Sequence, residues 1–346
     1  MASLKSFAFS LVVAASVWIG WYRLGGGAPL FANLLEHWQI ALTMVFGSFI
    51  AGATSEGGGA VAFPVLTKVL SVSPVDARVF SLAIQSVGMT AAALVILAMK
   101  IRLEWRVIRW ASAGGAGGIA MGSALIAPQL PPAVTKIIFT VMVASFAFVL
   151  WALNRHFPAR HQKLPVFGHK EKGILLTTGF LGGVMSGLVG NGIDIVVFSL
   201  IVLLFRVCEK VATPTSVVLM AINALVGFAF QLTFLGGLSQ EVKAYWLAAI
   251  PVVVVGAPAG AMLCSLLNRT IIVRVLLALI AVEGVSTLLL IPMNLPVIAG
   301  GSVSLAGFLA LYVLMYRCQT YLPPDIRTPA TAGHFRAGRA MLGAEE

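Results

Sequence analysis

The sequence predicts an all-α, polytopic membrane protein: two inverted repeats, each a re-entrant or broken helix hairpin plus three transmembrane helices, and two extra terminal helices. Three observations predict it. First, 59% of the 346 residues are hydrophobic and only 10% are charged, whereas an average globular domain is about 45–50% apolar and about 25% charged. Second, the apolar residues gather into runs, most of which reach the roughly 20 residues that a helix needs to cross a bilayer. Third, two neighbouring pairs of runs are short, and each pair flanks a Gly-rich interruption. A soluble enzyme, a disordered chain and a disulfide scaffold are excluded. The cysteines Cys208, Cys264 and Cys318 are too far apart for a zinc pattern or an evident disulfide framework.

In chain order the apolar runs fall at 7–22, 40–53, 60–70, 77–99, 107–127, 133–153, 173–188, 193–205, 211–235, 244–267, 271–291 and 297–316. Helices are the open-ended element that satisfies its own backbone in lipid. The first run follows Lys5 and can be read as a signal peptide. It has no small-x-small cleavage site near its end and leads into Gly25-Gly26-Gly27, so an uncleaved helix is expected. The pairs 40–53 with 60–70, and 173–188 with 193–205, consist of half-length pieces. The tail from Arg317 is rich in Pro, Thr, Ala and Arg without periodicity and reads as disordered. The predicted organisation is thus 1–39, N-terminal transmembrane helix and loop; 40–153, first repeat; 154–172, basic cytoplasmic loop; 173–291, second repeat; 292–316, C-terminal transmembrane helix; and 317–346, cytoplasmic tail.

The repeat rests on matched residues. A shift of 135 positions superposes Gly47, Gly52, Gly57, Phe63, Ala77 and Ser81 on Gly182, Gly187, Gly192, Phe198, Ala212 and Ser216; with a shift of 138, Gly118 and Gly122 fall on Gly256 and Gly260. Positive charge then selects the threading, because cytoplasmic loops are enriched in Lys and Arg. With re-entrant pairs, 18 of the 23 Lys and Arg fall on one side, leaving Arg23, Lys68, Arg78, Lys136 and Lys243 on the other. If each pair crosses once, the division is 11 against 12. Re-entrant pairs give each repeat three crossings, so the second copy is inverted, an arrangement found in many secondary transporters. The net charge of +11 is therefore a topology signal, and no basic stripe with interleaved aromatics suggests nucleic acid.

The first break reads Gly52-Ala-Thr-Ser-Glu-Gly-Gly-Gly-Ala60 and the second Gly187-Leu-Val-Gly-Asn-Gly-Ile-Asp194. Glycine allows positive φ and close backbone approach. Irregular backbone at membrane depth is tolerated where it is buried in protein or lines a cavity, and free N–H groups at a helix start can cradle an anion. The plainer reading is close helix packing through small residues. It is preferred for Gly114, Gly118, Gly122, Gly256 and Gly260. For Gly57, Gly58, Gly59, Gly190 and Gly192 the neighbouring carboxylates favour a functional break. No Gly-Lys-Ser/Thr follows either run, so a P-loop is excluded, and no βαβ unit surrounds them to make a dinucleotide site.

The stretch Thr-Ser-Glu-Gly-Gly-Gly-Ala-Val-Ala-Phe-Pro-Val-Leu (54–66), followed by Ser73-Pro74, Ala77 and Ser81, resembles the TauE/SafE sulfite-exporter family. The order Gly187…Gly192, Ala212…Ser216 is similar to that family's second half. The resemblance runs from about 40 to 291 and implies movement of sulfite, sulfoacetate or related anions across a bacterial inner membrane, mainly outward and without ATP hydrolysis. Glu56 stands where a glycine is common, and Asn191, Ile193, Asp194 and Ser199 interrupt the second motif. These departures bear on which anion is carried.

Three of the 12 acids lie at membrane depth: Glu56, Asp194 and Glu283. A charge there costs at least about 2.5–3.5 kcal/mol and usually faces a cavity or partner. All three are candidates for proton coupling; the plainer readings are capping of the half-helices for Glu56 and Asp194 and an inter-helix contact for Glu283. With no Lys or Arg expected mid-span, the candidate substrate-binding residues are Thr54, Ser55, Gly57, Gly58, Gly59, Ser81, Gln85, Gly190, Asn191, Gly192, Ser216 and Asn223, with Ser86 and Thr215 beside them. Each polar one has inter-helix hydrogen bonding as its alternative. His156, His161 and His169 read as solvated loop residues, and Trp105, Trp110, Trp151 and Trp246 as interfacial anchors. No metal site, cofactor or catalytic motif such as G-x-S-x-G or H-E-x-x-H is present. The expected function is a secondary carrier of a small sulfur-containing anion, exporting it and coupled to protons, with both termini cytoplasmic. Import of an organosulfonate is the alternative, and an intramembrane acid hydrolase using Glu56 and Asp194 is the alternative of a different class. Oligomeric state is left open.

Overall fold

A computed structural model describes residues 4–156, 161–264 and 269–317. The expected disordered tail lies outside them from 318 onward, as do Cys318 and the side chains of Trp151 and His156. The described residues form helices and no strand. In order these are α1 (Leu4–Leu24), α2 (Pro29–Glu36), α3 (Trp38–Ala53), α4 (Gly59–Pro64), α5 (Pro74–Ala98), α6 (Trp105–Met121), α7 (Pro132–His156), α8 (His169–Val189), α9 (Ile193–Leu203), α10 (Glu209–Phe234), α11 (Gln240–Cys264), α12 (Arg269–Leu290) and α13 (Leu295–Arg317).

Local chemistry sets the boundaries around the breaks. Pro64 has no N–H to continue the ladder of α4, and the chain widens there into a π-helical turn over Val65–Val69. At α5, Pro74 occupies the first helical position, and the Ser73 hydroxyl accepts from the Asp76 amide at 3.1 Å. At α8, the Gly168 amide donates to the Glu171 carboxylate at 2.5 Å. These added residues correct one expectation. The run 173–188 was read as half-length, but α8 begins at His169 and has 21 residues, because the charged stretch His169–Lys172 forms its first turn.

Six of the described helices (α5, α7, α8, α10, α11 and α13) are long and apolar enough to cross a membrane, and α2 with α3, bent by 79°, would make a seventh. α6 has 17 residues before it widens into a π-helical turn over Gly122–Ile126. The outer face agrees with an apolar solvent: Leu289, Val303 and Leu295 are 79%, 73% and 80% exposed. Large apolar surface of this kind marks a membrane or partner face. This is a multi-pass membrane protein.

The interior is assembled through glycine. α3 packs on α11, α6 on α8, α5 on α10 and α7 on α12. A Cβ at Gly52 would collide with the Ala257 carbonyl, and one at Gly187 with the Ile119 carbonyl; one at Gly260 would meet the Phe49 carbonyl, and one at Gly122 that of Val184. Each second contact is the first displaced by the shifts of 135 and 138. Gly114, Gly118 and Gly256 make similarly close approaches, so close packing accounts for the glycines assigned to it. All of α9 is buried, and α4 with its π turn lies against α3 and α5.

Part of the basic loop is docked rather than solvated. Buried Glu104 accepts from Arg106 Nε at 2.7 Å, Arg106 Nη2 at 2.8 Å and the Leu164 amide at 2.8 Å. Burial alone would raise its carboxyl, but Arg106 and these amide contacts hold it below the usual carboxylate range. His161 pairs through its backbone with Arg206 and Cys208 at 2.7 and 2.8 Å.

Candidate functional site between the two breaks

The first break is a turn with few internal bonds. α3 ends at Ala53, after which Thr54 is extended, with φ −137° and ψ 175°. Its hydroxyl donates to the Ile50 carbonyl at 2.8 Å and accepts from the Glu56 amide at 3.3 Å. Gly57 takes φ +67°, which L side chains rarely adopt, and α4 starts two residues later. Thr54, Ser55 and Glu56 are all buried, Glu56 to 1% exposure.

At the second break, Gly190 terminates α8 in the left-handed conformation, its amide donating to the Ser186 carbonyl at 2.8 Å. Gly192 has φ +150°, and α9 begins at Ile193. Asp194 Oδ1 accepts from the Ile195 amide at 3.0 Å and the Gly192 amide at 3.3 Å; the Ser186 hydroxyl accepts from the Ile193 amide at 3.2 Å. Helix capping thus describes half of Asp194. Its other oxygen, Oδ2, has no hydrogen-bond partner among the described residues.

The two breaks touch. Asn191 Nδ2 donates to the Glu56 carbonyl, joining residues at matched positions of the two repeats. From α5, Gln85 Nε2 donates to the Gly190 carbonyl at 2.8 Å and to the Ser81 hydroxyl at 2.8 Å, while that hydroxyl donates to the Gly190 carbonyl at 3.2 Å. These bonds fix which way both amides face. With their nitrogens committed, Asn191 Oδ1 and Gln85 Oε1 point elsewhere and have no partner among the described residues. Both lie 2.8 Å from where a Gly57 Cβ would be, and Asp194 Oδ2 lies 2.7 Å from it. Glu56, next to Gly57, has a further oxygen, Oε1, without a partner among the described residues. A small cavity borders the first break, lined by Met44, Ala51, Gly58, Gln85 and Val253.

The other expected site residues are placed apart. Ser216 donates to the Thr213 carbonyl of its own helix at 2.8 Å, and Thr215 to the Val211 carbonyl at 2.6 Å. Asn223 is buried beside Gly115 of α6, with both amide atoms unpartnered among the described residues. Glu283 is ion-paired with Lys68 at 2.6 Å and accepts from Thr140 at 2.8 Å, so its partners belong to neither break.

Sequence reasoning missed the cations that are drawn into the helix packing. It placed Arg78, Lys68 and Lys136 in outer loops. Arg78 is instead buried, with Nη1 donating to the Ser123 and Gly187 carbonyls at 3.2 Å each, where it caps the end of α8. Lys136 donates to the Thr67 carbonyl at 2.9 Å. The available signal was position: Arg78 follows the Ser73-Pro74 cap by one helical turn, which turns it inward toward the neighbouring helix.

The family described as Sulfite exporter TauE/SafE matches residues 40–287, a span that contains both breaks. No curated protein and no solved structure matches the chain.

Proposed function

From this chain's membership of the TauE/SafE sulfite exporter family, matched over residues 40–287, we propose that it is a secondary carrier of a small sulfur-containing anion. The substrate is sulfite or an organosulfonate such as sulfoacetate, moved outward across the inner membrane. In this reading the two halves are inverted repeats, the breaks form the central site, and both termini are cytoplasmic. The recurrence of the same glycine contacts at shifted positions supports the repeat.

The observation that carries the mechanism is the pair Glu56 and Asp194. Both are buried where the breaks meet, and neither is ion-paired with a Lys or Arg among the described residues. Buried charges left unpaired are costly, which favours neutralisation. A protonated pair would admit an anion that a deprotonated pair repels, so proton and substrate occupy the site together. Ser55 and the backbone amides of residues 57–59 and 191 then contribute neutral donors, while Thr54 and Ser81 hold the breaks in shape. The acid-hydrolase reading has less support, since Asp194 Oδ1 already serves two backbone amides.

The test is flux of radiolabelled sulfite in proteoliposomes with and without a pH gradient. The unmodified chain is expected to respond to the gradient, and Glu56→Gln with Asp194→Asn to lose that response. An unchanged response in both variants would remove the coupling role.

A further inference from the structure

We infer that the unpartnered oxygens of Gln85, Asn191 and Asp194, with the neighbouring Glu56 carboxylate, form a binding site for an alkali cation of sodium size. Asp194 Oδ2, Asn191 Oδ1 and Gln85 Oε1 each lie within 2.8 Å of one point, the position of a Gly57 Cβ. Hence no two of them are separated by more than about 5.6 Å. The three residues are 0–2% exposed. Buried acceptors that converge without a donor are costly unless something positive joins them. Amide rotation does not relieve this arrangement. Turning Asn191 would take its donor from the Glu56 carbonyl, and turning Gln85 would take its donor from the Gly190 carbonyl.

The donor set defines the chemical class. The three converging ligands are hard oxygens, one carboxylate and two amides, without imidazole or thiolate; this disfavours zinc and copper. Calcium takes 6–8 oxygens, and magnesium demands octahedral geometry with retained waters. Three enclosed side-chain oxygens carrying a single carboxylate charge suit a singly charged ion better. Irregular backbone at helix breaks is also where transporters coordinate sodium. Gly57 is essential to the design, because any Cβ there would occupy the space the oxygens face. A singly charged cation in this position would balance one of the two carboxylate charges without a proton. As a binding site it stands apart from the carrier reading; as the coupling ion it rests on that reading.

Thermal unfolding of the purified full chain in detergent tests the site without any substrate anion. At fixed pH and ionic strength, replacing choline chloride by sodium chloride should raise the unfolding midpoint in proportion to the logarithm of sodium concentration. Asp194→Asn and Gln85→Leu should each weaken the apparent affinity at least about tenfold. Equal midpoints in sodium, lithium, potassium and choline would overturn the site, as would a shift produced by calcium or magnesium alone. Should Asp194→Asn fail to fold, the ion series on the unmodified chain and Gln85→Leu decide. A sodium response without anion flux would leave the site standing and refute the carrier, and flux without a sodium response would do the reverse.

Discussion

Replacing Gly57 with alanine adds one methyl group at the point where the two breaks come together. Two costs follow from the geometry. Alanine at φ +67° enters the left-handed region, where an L residue pays about 1–2 kcal/mol. The new carbon would stand 2.7–2.8 Å from three side-chain oxygens, well inside ordinary contact, and overpacking of this kind costs about 1–3 kcal/mol. Together these give about 2–5 kcal/mol, a substantial part of the roughly 5–15 kcal/mol that holds a typical domain together. Sulfite flux in proteoliposomes should fall, because relieving the contact displaces the three side-chain oxygens of the proposed site. The unfolding midpoint in detergent should fall with it. Gly20→Ala in α1 is the control: none of the described residues lies within 4 Å of its Cβ position, and alanine inside a helix is neutral to stabilising by about 0.5–1 kcal/mol. A Gly57→Ala chain with the flux and midpoint of the unmodified protein would refute the convergence of oxygens at Gly57.

Other perturbations test the scaffold. Lys68→Ala strands the buried Glu283 carboxylate and should cost about 3–5 kcal/mol in thermal unfolding, with most of that recovered in Lys68→Met/Glu283→Gln. Gly122→Ala and Gly260→Ala drive a methyl into the Val184 and Phe49 carbonyls, so each should lower the midpoint by an amount equivalent to about 1–3 kcal/mol; a neutral result in either would show that the helices separate freely. Glu104 is held below the usual carboxylate range. Its stabilisation is therefore complete above the unfolded carboxylate range and is lost as pH falls through its folded value. A melting series across that range should slope downward toward acid, and Glu104→Gln should flatten part of the slope.

Composition made the fold class legible, since only a membrane explains so few charges among so many apolar residues. The breaks were legible because glycine runs beside carboxylates have few other uses at such depth. The lengths of the pieces were less so: α8 continues through His169, Lys170, Glu171 and Lys172, and counting apolar residues stops short of a charged first turn. The cations drawn into the helix packing were hidden for a similar reason. Lys68 and Arg78 lie near run ends, where sequence reads a positive charge as a loop, and only packing shows Arg78 turned toward the Gly187 carbonyl. The amide orientations of Gln85 and Asn191 were beyond sequence altogether, because they depend on acceptors more than 100 positions away. That orientation turns two candidate donors for an anion into acceptors.

The most direct test records anion and proton movement together. Proteoliposomes carrying an internal pH dye are given radiolabelled sulfite and, separately, a sulfonate whose acid group does not titrate near neutrality. With the unmodified chain, both anions should move and both should change internal pH, whereas the Glu56→Gln/Asp194→Asn chain should show no proton movement linked to the sulfonate. Transport of the sulfonate by the unmodified chain with internal pH unchanged would contradict coupling through these carboxylates, and no movement of either anion would contradict the carrier itself.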